Sequence, residues 1–200
     1  MSRGLVWRIL IVRGDSVRKD SLQNQAKILK TARELFAAQG VENVSMKDIA
    51  TSAGIGAGTL YRHYAHKSTL CLALVTERIQ AFINNNQQYL VTSTADATEQ
   101  FNVVIGDYLK IREINMELLK SVEAGEPGRL QFYQSELYQD LTRLFQTVIN
   151  GLTPSLSAKT LTFRTDMLIA MLKSTSYAFQ RQERQLSQEE ILTELRQLLQ

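Results

Sequence analysis

Apolar positions along most of this chain recur at intervals of three and four residues, the period of a helix with one buried face. The first such face is Ile28, Ala32, Leu35 and Phe36, with Asp20 or Ser21 placed to cap its start and Gly40 to stop it. Met46, Ile49, Ala50 and Ala53 predict a short second helix, opened by the capping-box pattern Ser45-Met46-Lys47-Asp48 and ended at Gly54. A third short helix is expected from Gly56 to Tyr64, burying Leu60 and Tyr64. After His66-Lys67-Ser68, a longer helix carries Leu72, Val75, Ile79 and Phe82 and runs into the polar stretch Asn84 to Gln88. That stretch and Thr92-Ser93-Thr94 mark a boundary between two halves.

The second half keeps the same period. Phe101, Val104, Ile105, Tyr108 and Ile111 form one stripe, continued by Leu118, Leu119 and Val122 up to the breaker Gly125-Glu126-Pro127-Gly128. Leu130, Tyr133, Leu137, Leu141, Leu144 and Val148 form another, closed by Gly151 and Pro154. Phe163, Met167, Met171 and Ala178 predict a third segment, and the box Ser187 to Glu190 opens a last helix with Ile191, Leu195 and Leu198. No stretch alternates like a strand, so the fold class is all-α. Three short helices with a glycine turn between the last two give residues 22–82 the layout of a helix-turn-helix domain, and residues 95–200 form a second helical domain.

Charge separates the halves more sharply than hydropathy does. Residues 1–67 hold 11 Lys and Arg against 5 Asp and Glu, and residues 68–200 hold 12 against 15, so the basic excess lies in the N-terminal third. Such an excess suits a polyanion partner. Residues 1–21 read as a basic, poorly ordered tail whose apolar run, broken by Arg8, is too short for a membrane anchor. Residues 1–13 read as dispensable, and Val17 is a candidate true start. Cys71 is the only cysteine, which excludes an internal disulfide and fits a reducing cytoplasm.

Residues 45–64, SMKDIATSAGIGAGTLYRHY, closely resemble the helix-turn-helix of TetR-type regulators, and the resemblance reaches back through KILKTARELFAAQGVENVS and forward to Lys67. The resemblance implies that the third helix enters the major groove of DNA. Thr59 and Arg62 then fall where base edges are read, Arg62 being able to pair with guanine through two hydrogen bonds. Ser45, Lys47, Tyr61, His63 and Lys67 fall where phosphates are held. The family often has serine or threonine where Gly56 stands, lysine or arginine where Ala57 stands, and serine where His66 stands. Both Gly56 and Ala57 therefore sit in the expected interface without the usual polar contact, which shifts weight onto Arg62 and Lys67.

The resemblance further implies that the C-terminal domain binds a small-molecule effector and dimerises, and that the protein is a homodimeric repressor freed from its operator by that effector. Phe101, Val104, Tyr108, Met116, Phe132, Tyr133 and Leu137 are expected around the effector. Met167, Met171, Ser174, Ala178, Leu195 and Leu198 are expected at the dimer interface. The competing reading is a scaffold of the same fold that binds DNA or protein without an effector. Metal binding by His63, His66 and Cys71 lacks a convincing set of ligands, and both histidines already have places in the motif. With no His or Cys in the second half there is no acid–base or nucleophilic constellation, so no enzyme, cofactor or metal is expected.

Overall fold

A computed structural model describes residues 4–200, with side chains from Asp20 onward except that of Glu126. The side chains of the basic segment before Asp20, and residues 1–3 altogether, lie outside the described residues. Among the described residues there are eleven α-helices and no strand. The first four are α1 (Gly4–Gln39), α2 (Met46–Ser52), α3 (Ala57–His63) and α4 (Lys67–Thr92). The rest are α5 (Ala97–Ile114), α6 (Met116–Ala124), α7 (Glu126–Tyr133), α8 (Glu136–Leu152), α9 (Ala158–Met171), α10 (Ser174–Ala178) and α11 (Gln188–Leu199). A π-helical turn, Phe179–Glu183, follows α10 directly.

Caps decide most of these boundaries. Ser45 accepts the Asp48 amide while the Asp48 carboxylate accepts the Ser45 amide at 2.8 Å, closing the expected box at α2. Ser187 and Glu190 close a second box at α11, while the Ser135 and Ser157 hydroxyls accept the Tyr138 and Thr160 amides at the starts of α8 and α9. Three expected continuities are interrupted. The stripe from Phe101 to Val122 breaks at Asn115, whose amide side chain bonds the Ile111 carbonyl. The stripe from Leu130 to Val148 breaks at Ser135, and the segment through Met171 breaks at Leu172. At the other extreme, α1 passes straight through Asp20 and Ser21, where the sequence placed its start. Apolar periodicity survives a one-residue break, because the turn that follows can present the same face again.

Two buried clusters result. The N-terminal one joins Ile28, Ala32, Phe36, Ile49 and Leu60 to Leu70, Cys71, Leu72 and Leu74 at the start of α4. The larger one joins Val75, Ile79, Phe82 and Ile83, further along α4, to the apolar faces of α5, α8, α9 and α11. Helix α4 therefore belongs to both cores, and α6 is its most extensive partner. Ile49 and Leu60 are fully buried, and each contributes about 1.5–3 kcal/mol through burial alone.

Candidate DNA-binding face and effector cavity

The α2–α3 pair sits on the N-terminal core with one face outward. Gly54 adopts φ +60 between the helices, and the Ile55 amide reaches the Ala50 carbonyl at 3.1 Å, which turns the chain sharply. With Met46, Ile49, Ala50 and Leu60 inward, Ser45, Lys47, Gly56, Ala57, Tyr61 and Arg62 are exposed, while Thr59 and His63 are half-buried. Arg62 is held over its own helix, donating to the Gly58 carbonyl and to Thr59 Oγ1, each at 3.2 Å. Its guanidinium thus stands beside the threonine hydroxyl that shares its outward face. Asp20, Ser21 and Asn24 of α1 border a groove with Thr59, Arg62 and His63, so α1 flanks the outward face of α3.

Lys67, expected among the phosphate contacts, is half-buried and tied back to the chain. Its ammonium donates to the Val41 carbonyl at 2.5 Å and lies 5.8 Å from the centre of the Phe36 ring. It therefore ties the first turn of α4 to the α1–α2 connection, a cation–π contact adding to the hydrogen bond. Cys71 is buried in the same core, and burial pushes its thiol above the ordinary value. Among the described residues no group of three or more His, Cys, Asp or Glu could hold a metal ion, and no helix is long and apolar enough to cross a membrane.

The residues expected around an effector are divided by the fold. Tyr108, Phe132 and Tyr133 line a cavity of about 70 Å³ together with Val122 and Ile169. Phe101 and Val104 are instead fully buried in the core, and Met116 packs against it. Leu137 is buried between that core and a wider cleft of about 680 Å³ whose other wall carries Tyr61 and His63. Helical spacing marks a buried face, but it does not distinguish core filling from cavity lining.

Sequence reasoning missed the most unusual group at the cavity. Arg112 extends the Phe101, Ile105, Tyr108 stripe by one more turn, so a cation occupies a core position. It is 5% exposed, donates to Glu123 at 2.7 Å, to Ser174 Oγ at 3.0 Å and to the Tyr108 hydroxyl at 3.3 Å, and leaves its Nε–H buried without an acceptor. Glu123 also accepts the Ser174 amide at 2.8 Å, so α5, α6 and α10 meet at one ionic junction. The aromatic wall beside it is an edge-to-face cluster: Phe132–Tyr138 at 5.3 Å and Tyr133–Tyr138 at 5.0 Å. Burial pushes the Tyr138 hydroxyl up to about 12, helped by the Asp166 carboxylate beside it.

The cavity also borders the DNA-binding half. Val122 belongs to the N-terminal core, Phe132 packs against both cores, and both residues line the cavity. Beside them Gly125 and Gly128 pack so closely on Ser68, in the first turn of α4, that a Cβ at either would lie 2.4 Å or 2.8 Å from the serine Cβ. A change in α6 or α7 therefore meets α4 directly.

Of the expected interface residues, Ser174, Ala178 and Leu195 are buried within the chain itself, whereas Met167, Met171 and Leu198 are exposed. Phe163, 62% exposed, and Phe179, 45% exposed, extend that apolar surface over α9, α11 and the π-helical turn.

An outward helix-turn-helix on a helical body defines the class: a DNA-binding transcriptional regulator. Residues 28–74 match the family described as bacterial regulatory proteins, TetR family. An HTH-type transcriptional regulator of Staphylococcus aureus strain bovine RF122 / ET3-1 is 36% identical over 171 residues, which cover 86% of this chain and 89% of that protein. Its counterpart in strain USA300 is 35% identical over the same span. The chain belongs to the TetR family of HTH-type transcriptional regulators. Its fold is similar to that of Thermus thermophilus FadR, a TetR-family repressor solved with lauroyl-CoA, at a TM-score of 0.68 and 14% identity over 88% of this chain and 92% of that one. Bacillus subtilis FadR, solved with stearoyl-CoA, gives 0.61 and 16% over 87% and 96%.

Proposed function

We propose that this protein is a homodimeric repressor that leaves its operator when a small molecule enters the cavity beside Phe132. The observation that carries this reading is the position of Val122 and Phe132, which line that cavity and also pack on the core that supports α2 and α3. A ligand that moves either residue acts on both at once. In the DNA-bound dimer, the two α3 helices sit about 34–36 Å apart, one turn of duplex. The ligand displaces α6 and α7, these push on Ser68, and α4 carries the change to α3. A coupling of about 1–3 kcal/mol weakens operator binding roughly 5- to 150-fold.

Thr59 and Arg62 read base edges, and Ser45, Lys47, Tyr61 and His63 hold phosphates, with Gly56 and Ala57 close to the backbone. Lys67, being tied to Val41, contributes charge and the angle of α4. The apolar surface of Phe163, Met167, Met171, Phe179 and Leu198 supports dimerisation, since a patch of this kind is rarely left open on a monomer. Acyl-CoA in the two FadR structures gives a precedent for a ligand on this fold. The present cavity of about 70 Å³ is smaller than the roughly 150 Å³ of a cavity that takes up benzene, so any organic effector enters only as α6 and α7 give way.

The test is a salt-dependent titration of the purified protein against DNA flanking its gene, with random DNA as competitor. Saturation of one fragment by two chains, lost in Arg62→Ala, supports the reading. Equal weak binding to every fragment overturns it in favour of a scaffold.

A further inference from the structure

The ionic junction at the cavity suggests what kind of molecule enters it. Three cations, Arg112, Arg129 and Lys173, border the cavity against one carboxylate, Glu123. Arg112 is almost wholly buried, yet only three of the bonds available to its five N–H groups are made, and the buried Nε–H has no acceptor. A guanidinium that served only to tie helices together would have its buried donors closed, because an orphaned donor in a dry site costs free energy that structure alone does not recover. The opposite wall is apolar and aromatic, formed by Val122, Phe132, Tyr133 and Ile169. Tyr133 is 38% exposed and Arg129 lies at the surface, so the cavity opens to solvent past a ring and a cation.

Resting on the reading that this cavity takes the effector, we infer that the effector is a small organic carboxylate, its anionic end seated on Arg112 and its apolar body against Phe132 and Tyr133. An incoming carboxylate competes with Glu123 for the guanidinium. Glu123 is the α6 residue that also holds the Ser174 amide, and Val122 beside it packs into the DNA-binding core. Anion binding therefore exchanges one partner of Arg112 for another and loosens α6 from α5. A neutral molecule of the same shape leaves Arg112 on Glu123 and brings no acceptor strong enough to replace it.

The experiment is thermal unfolding of the full-length protein with millimolar phenylacetate, benzoate or hexanoate, each beside its primary amide at matched ionic strength. The acids raise the melting temperature by mass action and the amides do not. The variant carrying Arg112→Met and Glu123→Gln removes both charges together, which avoids stranding one of them. It binds the acids about ten-fold or more weakly, the loss expected for a charge-assisted hydrogen bond. Should that variant not fold, the exposed pair Arg129→Gln and Lys173→Gln is read instead, and it reduces the shift that the acids produce. The inference is overturned if no acid shifts the transition, if amides match the acids, or if the charge-free variant keeps wild-type affinity. An acid that binds through Arg112 but leaves DNA affinity unchanged sustains this inference and removes the effector-release reading. A neutral compound that releases the operator while the acids do nothing leaves the release reading standing and overturns the carboxylate.

Discussion

Replacing Gly125 by alanine probes the link between the two halves with a single carbon. Gly125 has φ −87, a conformation open to any residue, so alanine there carries no backbone strain. By itself the change even favours folding by about 0.4–1 kcal/mol, because the unfolded chain loses freedom. Against that, the new Cβ would stand 2.4 Å from Ser68 Cβ and 2.5 Å from its Oγ, where carbon atoms normally rest about 3.5–4.0 Å apart. The α6–α7 corner and the first turn of α4 must then separate by roughly 1 Å, an overpacking cost of about 1–3 kcal/mol. The expected outcome is a lower melting temperature, by about 2–4 °C per kcal/mol of net loss for a chain of this size. Operator affinity, measured by fluorescence anisotropy, falls with it, because α4 is displaced from the position that sets α3. Ser68→Gly in the same chain removes both offending atoms and restores affinity more than the two single changes would add up to. A Gly125→Ala protein that melts higher than wild type and binds DNA equally well would falsify the coupling route.

Arg62→Ala weakens operator binding by about 1–3 kcal/mol and relaxes preference at one base pair, while thermal stability stays within about 0.5 kcal/mol, since the side chain is exposed. Met171→Glu, placing a charge on the exposed apolar surface of α9, shifts the protein toward monomer in sedimentation velocity while circular dichroism stays helical; a dimer of unchanged strength refutes that interface. The Ser45 hydroxyl, and after it the Ser45 amide, hold the Asp48 carboxyl below the usual carboxylate range. Its folded value is therefore the lower one, so the contribution to stability is present above the unfolded value of about 3.9 and is lost as pH falls through the folded value. The gap in melting temperature between wild type and Ser45→Ala accordingly narrows on acidification, and a gap constant with pH refutes this account of the cap.

Much of the DNA-binding half was legible because its boundaries are chemical. Ser45, Asp48 and Gly54 announce a cap, its reciprocal partner and a left-handed turn, and each does what its residue type does best. The start of α1 was not legible, since Asp20 and Ser21 are good caps that the longer helix simply passes over. The cavity was only partly legible. Phe101 and Tyr108 share one stripe, and only packing decides that the first fills the core and the second borders a space. A signal for Arg112 did exist: a charged residue four positions beyond Tyr108, on the buried face, is costly unless something pairs with it. Gly125 and Gly128 read as a helix breaker, but Pro127 near the start of α7 lets the helix begin there, and the spacing between the glycines serves contact with Ser68.

Val122 and Phe132 answer to two neighbourhoods. A substitution at either is judged by how well it fills the support of the reading head and, independently, by what it leaves of the space beside Arg112. Positions under two such demands accept few alternatives, so if the cavity takes an effector as proposed, a lineage exchanging one for another would find its freedom at Tyr133, Arg129 and Lys173, around the rim. Regulators descended from a common ancestor could in this way diversify what they sense while the machinery that reports it stays the same.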